Sequence, residues 1–401
     1  MKNNEKRQKQ FNFWAILIIL SIFISATSIV HANSKPVITG ANQPEQYLDR
    51  LKGKSIGLVV NQTSTVENEH LVDFLIRKQI SVRTIFAPEH GFRGEAGAGE
   101  TISNSKDTKT GVSIVSIYGK NKKPTSKQLE DIDVIVFDIQ DVGCRFYTYI
   151  STLHYVMEAC AENHKKLVIL DRPNPNGDYT AGPVLKPAFK SFVGLDPIPV
   201  VHGCTIGELA LMINGEKWLN SGVQTDLEII KVGNYTHKTL FDPPIKPSPN
   251  LPNQQAIRLY PSLCFFEATS VSVGRGTEFP FQVLGYPNSD FGRFTFTPKS
   301  ILGMDLNPLQ KDKLCYGDDL RSLATAPKFT LSFFIQWLNK FKKSDQFLTR
   351  ASWFNLLMGN DTVLKLILEG KDDAEISKSW AAELANYRTI RKKYLLYSDF
   401  K

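Results

Sequence analysis

Short apolar runs that stop abruptly at polar clusters constrain this chain more than any other feature. Ser55–Val60 is one such run and ends at Asn61; residues 82–87 end at Pro88-Glu89-His90, residues 134–139 run into Gln140-Asp141, and residues 167–170 stop at Asp171. Runs of this length bounded by polar residues read as strands buried on both faces. Between them, residues 70–78 and 149–164 carry apolar side chains at helical spacing. Strands alternating with helices predict an α/β fold built on a parallel sheet. Residues 112–118 and 227–232 are two further expected strands, and 205–219 a further helix, with Thr205 and Glu208 spaced as a capping box.

The texture changes at residues 242–252, where Pro recurs too often for regular structure. A domain junction is expected there, with one domain over 33–240 and a second over 241–401. In the second, residues 256–300 read as loops and strands. Residues 328–343 and 347–358 read as helices, the apolar stripe 363–368 follows, and a final amphipathic helix runs from about 373 to 395.

The N-terminus reads as an export signal. Lys2, Lys6, Arg7 and Lys9 precede an apolar stretch over 11–30, and Val30-His31-Ala32 supplies small residues at cleavage spacing. Cleavage after Ala32 is the expectation, with an uncleaved anchor as the competing reading. An exported protein, periplasmic or secreted, follows, with no stable membrane span after signal cleavage. Removing residues 1–32 leaves 44 basic and 39 acidic side chains, a charge of +5. That balance is mild, and no basic block interleaved with aromatics marks a nucleic-acid partner. The five cysteines, Cys144, Cys160, Cys204, Cys264 and Cys315, are too scattered for a structural zinc site.

In open parallel sheets, ligands bind beyond the carboxyl ends of strands. The segments after residues 87 and 138 are therefore the expected cleft. Glu89 stands on a stiff strand end between Pro88 and the turn-permitting Gly91, a position suited to general acid work. His90, Arg93 and Glu95 surround it in sequence. Asp138 and Asp141 flank Gln140; Asp141 also reads as a cap for the Val142–Gly143 turn amides. Arg145, Tyr147 and Tyr149 alternate with Phe146 and Thr148, which puts all three on one side if the segment is extended. Arg145 suits a carboxylate and the tyrosines a sugar face. In the second half, Glu267, Arg275 and Glu278 sit among Gly and Thr, in loop chemistry able to reach across a cleft. Residues 94–99 are Gly-rich but lack the dinucleotide spacing, and no P-loop, His-Glu-x-x-His or Gly-x-Ser-x-Gly motif occurs.

Five ordered blocks, FAPEHGFRGE (86–95), DIQDVGCRFYTY (138–149), DRPNP (171–175), PSPNLP (247–252) and FFEATSVSVGRGTEFPFQVLG (265–285), resemble the NamZ-type exo-β-N-acetylmuramidases of bacteria. The resemblance implies a Rossmann-like catalytic domain with a smaller α/β domain closing the cleft. It implies a glycosidase that releases N-acetylmuramic acid from the non-reducing ends of peptidoglycan-derived saccharides, with the glutamate of the Glu-His-Gly motif, here Glu89, as the catalytic one. Asp138, Asp141, Glu95 and Glu278 remain open as the second carboxyl group. Arg93, Arg145 and Arg275 are candidates for the lactyl carboxylate, Arg145 foremost. The scheme requires no metal or other cofactor. The rival readings are a non-catalytic sugar-binding protein using the same cleft and a metal-dependent hydrolase built on His90, Asp138 and Asp141.

Overall fold

The computed structural model describes residues 35–93, 104–342 and 346–400. The expected signal segment and the candidate Glu95 lie outside these residues. The strands, in chain order, are β1 (Ser55–Val60), β2 (Thr65–Val66), β3 (Glu69–His70), β4 (Ser81–Ala87), β5 (Ser105–Lys106), β6 (Ser113–Ser116), β7 (Val134–Asp138), β8 (Lys166–Leu170), β9 (Ala181–Val184), β10 (Pro199–Val201), β11 (Leu227–Ile230), β12 (Val283–Tyr286), β13 (Phe294–Phe296) and β14 (Cys315–Asp319).

Seven of them form one sheet in the order β11-β8-β7-β1-β4-β6-β5. All its pairings are parallel except that of the short β5 with β6. The chain winds outward from β1 through β4 to β6, then returns to the other side of β1 and continues through β7, β8 and β11. This is a doubly wound, Rossmann-like sheet whose direction reverses between β1 and β7.

Alternation along the strands explains why both faces are covered. Ile56, Leu58 and Val60 of β1, with Val134 and Val136 of β7, face the helix Leu71–Arg77. Val59, Phe86, Ile135 and Phe137 point the other way, into a larger core with the helices Tyr149–Glu162 and Ile206–Gly215. Gly57 is needed because Ile135 packs against it: a Cβ there would come within 2.5 Å of the Ile135 side chain. The expected capping box forms, with Thr205 accepting from the Glu208 amide and the Glu208 carboxylate accepting from the Thr205 amide.

The larger core runs on without a break into the second half through Phe265, Phe266, Trp337 and Phe354. That half holds the antiparallel sheet β12-β14-β13 and the helices Ser332–Lys340, Ala351–Met358 and Thr362–Leu368. Two expectations there are corrected. Residues 256–263, read as part of a stretch of loops and strands, belong to the helix Gln254–Leu263 capped by Asn253, with Ala256, Ile257, Leu259, Tyr260 and Leu263 on its buried side. Pro261 hid this helix; its missing amide leaves the Ile257 carbonyl without a helical donor, and Asn176 Nδ2 supplies one at 3.1 Å. The single helix expected over 373–395 is two, Asp373–Lys378 and Ala381–Lys392, broken where Trp380 turns into the core. Among the described residues, no helix is long and apolar enough to cross a membrane.

Candidate active site

Strand β4 delivers Glu89. The strand ends at Ala87, and the chain then turns sharply because His90 (φ 68°) and Gly91 (φ 77°) both adopt the left-handed conformation. Gly91 does so freely, whereas His90 is strained by about 1–2 kcal/mol. Glu89 is held half-buried on this corner. Its Oε1 accepts a hydrogen bond from the Tyr118 hydroxyl at 2.8 Å and its Oε2 one from Thr148 Oγ1 at 2.6 Å. The Tyr149 hydroxyl reaches its backbone carbonyl at 3.3 Å. Burial first, and then the charge of Glu89, push the Tyr118 and Tyr149 hydroxyls well above their ordinary range, so both remain proton donors. His90 is buried, with Nε2 3.4 Å from Ser248 Oγ.

These groups open into a cleft of about 670 Å³ lined by both halves of the chain. Its floor is a row of tyrosines set edge to face. Tyr149 and Tyr147 have ring centroids 4.9 Å apart, and Tyr147 and Tyr260 6.0 Å apart. Tyr147 is anchored by its hydroxyl to the carbonyl of Pro247, at 2.7 Å. The Pro-dense segment thus contributes to the site through Ser248, Asn250 and Leu251. From the second half come Glu267, Arg275, Phe281, Arg350 and Trp353. Arg275 pairs with Glu267 at 2.5 Å, while Arg350 donates to the Glu267 carbonyl and lies 5.5 Å from the Trp353 ring. On the opposite rim Lys122 lies 4.6 Å over the ring of Phe192, with no carboxylate partner among the described residues.

Of the candidates from sequence, Glu89, His90, Tyr147, Tyr149, Glu267 and Arg275 line this cleft. The other candidates among the described residues lie elsewhere. Asp138 is fully buried and grips Arg172 in a two-pronged pair, Nε to Oδ1 at 2.5 Å and Nη2 to Oδ2 at 2.9 Å. Gln140 spends its amide on the carbonyls of Asp141 and Pro173. Asp141 caps the turn, accepting from the Gly143 amide at 2.6 Å, with His202 3.5 Å away. Arg93 pairs with Asp107, and Glu278 is exposed outside the cleft.

Arg145 shows why alternation misleads here. Residues 145–148 form a turn into the helix Tyr149–Glu162, so odd and even positions do not take opposite sides. Arg145 is instead 1% exposed and donates to the carbonyls of Pro183, Ile198 and Leu357. It joins the two halves of the chain at the end of the helix Ala351–Met358, where Gly359 in the left-handed conformation leaves room for it. Burial pulls its guanidinium down to about 9.

His90, Asp138 and Asp141 do not converge, and no group of three His, Cys, Asp or Glu among the described residues is placed to hold a metal. All five cysteines are free and buried. Sequence reasoning passed over Tyr118, Lys122, Thr148, Phe192, Ser248, Arg350 and Trp353. Two of these had a signal: Thr148 lies inside a motif block beside Tyr147 and Tyr149, and Ser248 inside the block 247–252.

Residues 56–255 match the family "Exo-beta-N-acetylmuramidase NamZ, N-terminal" and residues 258–397 its C-terminal counterpart. The chain belongs to the NamZ exo-β-N-acetylmuramidase family. It is 38% identical over 375 residues to the peptidoglycan β-N-acetylmuramidase NamZ of Bacillus subtilis, covering 88% of this chain and 89% of that protein. Two crystal structures of DUF1343 family proteins from Bacteroides fragilis share the fold. One has a TM-score of 0.83 at 46% identity and covers 91% of this chain and 99% of its own. The other has a TM-score of 0.76 at 27% identity and covers 90% and 99%. The NamZ matches span both halves that build the cleft.

Proposed function

We propose that this chain is an exo-acting β-N-acetylmuramidase that releases N-acetylmuramic acid from the non-reducing ends of peptidoglycan fragments, with Glu89 as general acid. The observation that carries the assignment of Glu89 is its setting. It is a carboxyl group on a rigid strand end, facing a cleft of sugar-binding size and oriented by two hydroxyl donors. Its proton passes to the glycosidic oxygen as the bond to the anomeric carbon breaks, and Tyr118 and Thr148 then stabilise the carboxylate left behind.

The tyrosine floor suits the apolar face of a pyranose. Muramic acid differs from glucosamine by a lactyl carboxylate. Lys122 and Arg350, the lining cations without a carboxylate partner among the described residues, supply its countercharge; Arg275 is already paired with Glu267. An exported protein, periplasmic or secreted, is part of this reading and rests on the sequence of residues 1–32.

The test is release of free N-acetylmuramic acid from a muramic acid–glucosamine disaccharide by mature wild-type protein and by Glu89→Gln, both with a chelator present. Turnover by wild type and near-complete loss in the variant are expected. Folded wild-type protein that binds the sugar saturably without turnover makes this a binding protein. Loss of wild-type turnover in chelator, restored by metal, makes it a metal-dependent hydrolase.

A further inference from the structure

The cleft holds a second carboxylate, and it comes from the other half of the chain. The helix Gln254–Leu263 runs directly into a 3-10 turn, Cys264–Ala268, that carries Glu267 into the same cavity as Glu89. Among the described residues lining that cavity, these two are the acidic side chains.

Three features of Glu267 bear on its role. Arg275 donates to Oε1 at 2.5 Å and compensates its charge, while lying 5.1 Å from the ring of Phe281. Oε2 has no hydrogen-bond partner among the described residues. The backbone is fixed as well, because Arg350 donates to the Glu267 carbonyl at 2.5 Å. One oxygen is therefore committed and the other is available.

The two carboxylates adjoin different rings of the tyrosine row, Glu89 beside Tyr149 and Glu267 beside Tyr260. Tyr149 touches the Glu89 backbone at one end of the row. Tyr260, at the other end, stands on the helix that leads into the Glu267 turn. Two ring-to-ring steps, of 4.9 and 6.0 Å, lie between. Glycosidases in which a carboxylate attacks the sugar directly hold their two carboxyl groups ~5–5.5 Å apart; those that pass the attack through water need ~6.5–9.5 Å. A pair at the two ends of this row suits the wider spacing.

We infer that Glu267 is a catalytic residue, the general base that activates the attacking water. The inference rests on the muramidase reading with Glu89 as acid. The water oxygen bonds to the anomeric carbon from the side opposite the leaving group and gives its proton to Glu267 Oε2. The electron pair of the glycosidic bond moves to the leaving oxygen, which takes the proton of Glu89. The sugar leaves first as the α anomer. Solvent exchange then returns the proton from Glu267 to Glu89.

The experiment has a variant arm and a wild-type arm. Glu267→Gln preserves shape and a partner for Arg275. It is expected to lose about 10²–10⁴-fold in kcat with KM little changed, while still binding N-acetylmuramic acid. Glu267→Ala with added azide is expected to regain turnover and yield the α-linked muramyl azide, since azide needs no base. In the wild-type arm, NMR of the product before mutarotation is expected to reveal the α anomer, and this readout depends on no variant folding. A β product from wild type overturns the inference, as does Glu267→Gln turnover within about fivefold of wild type, or a folded, sugar-binding Glu267→Ala that azide fails to rescue. Wild-type protein that releases no N-acetylmuramic acid overturns the muramidase reading itself, a different result from release with the wrong anomer.

Discussion

Two strand ends, those of β7 and β4, carry carboxylates of similar origin and have opposite fates. β7 ends at Asp138, beside the point where the sheet reverses direction and where open α/β sheets commonly bind ligands. Here Arg172 plugs it, with Asp138 fully buried and Arg172 6% exposed. Ser64 donates to the Asp138 carbonyl, and Thr63 Oγ1 accepts from the Gln140 amide. Both carboxylate oxygens of Asp138 are thereby committed to Arg172. At the end of β4, two strands away in the sheet, Glu89 meets hydroxyls that donate to it while leaving a face toward a cavity. A charge at a strand end thus says that something must satisfy it, not whether that something is the protein or a substrate.

The sharpest way to break the comparison is to remove each charge. Glu89→Gln is expected to lower kcat by about 10²–10⁴-fold and to leave thermal unfolding close to that of wild type, read by calorimetry beside the activity assay. Asp138→Ala is expected to do the reverse. It strands the buried Arg172 guanidinium and costs about 3–5 kcal/mol of stability, measured by urea unfolding, while protein that remains folded keeps its turnover. If Asp138→Ala abolished turnover at full stability, the two strand ends would have to exchange roles.

β8 supplies a third strand end and a subtler test. Asp171 is fully buried and accepts from Thr205, Tyr397 and the amides of Arg172 and Gly207. Burial raises its carboxyl to about 6, even though Tyr397, Thr205 and the Gly207 amide pull the other way. The folded state therefore keeps a proton that the unfolded chain releases near 3.8. The stability this provides is fully present below that value and is lost as pH rises through about 6. The unfolding free energy of wild type minus that of Asp171→Asn is expected to fall across this window and to be flat above it. A flat difference throughout would mean that Asp171 stays ionised.

The sheet was legible in the sequence because each of its main strands is an apolar run with a hard polar stop, and periodicity reads such runs directly. Glu89 was legible for the same reason, standing at such a stop beside Pro and Gly. The rest of the cleft was not, for two physical reasons. A turn between β7 and the next helix cancels the two-residue alternation, so Arg145 points into the interior while Thr148 reaches Glu89. Glu267 was legible only as a loop residue able to reach a cleft, while Arg350 and Trp353 meet Glu89 only through the packing of the second half, which no local pattern encodes. The Pro-dense segment read as a junction, yet its rigidity also holds Pro247 and Ser248 against Tyr147 and His90.

The smallest effect concerns the rim cations. Lys122 is a single ammonium over the Phe192 ring at the partly exposed mouth of the cleft, and Phe192 is itself braced by Tyr118 and Tyr155. A contact there with a lactyl carboxylate is worth about 1 kcal/mol, which is several-fold in KM. Lys122→Ala is accordingly expected to raise KM for a muramic acid substrate several-fold with kcat nearly unchanged. It should leave turnover of the matched glucosamine substrate unaltered, since that sugar has no carboxylate to lose. Raising the salt concentration should shrink the wild-type advantage toward the variant. A KM change of equal size on both sugars would mean that Lys122 only shapes the Phe192 wall, and the reading of the lactyl group would then fall to Arg350.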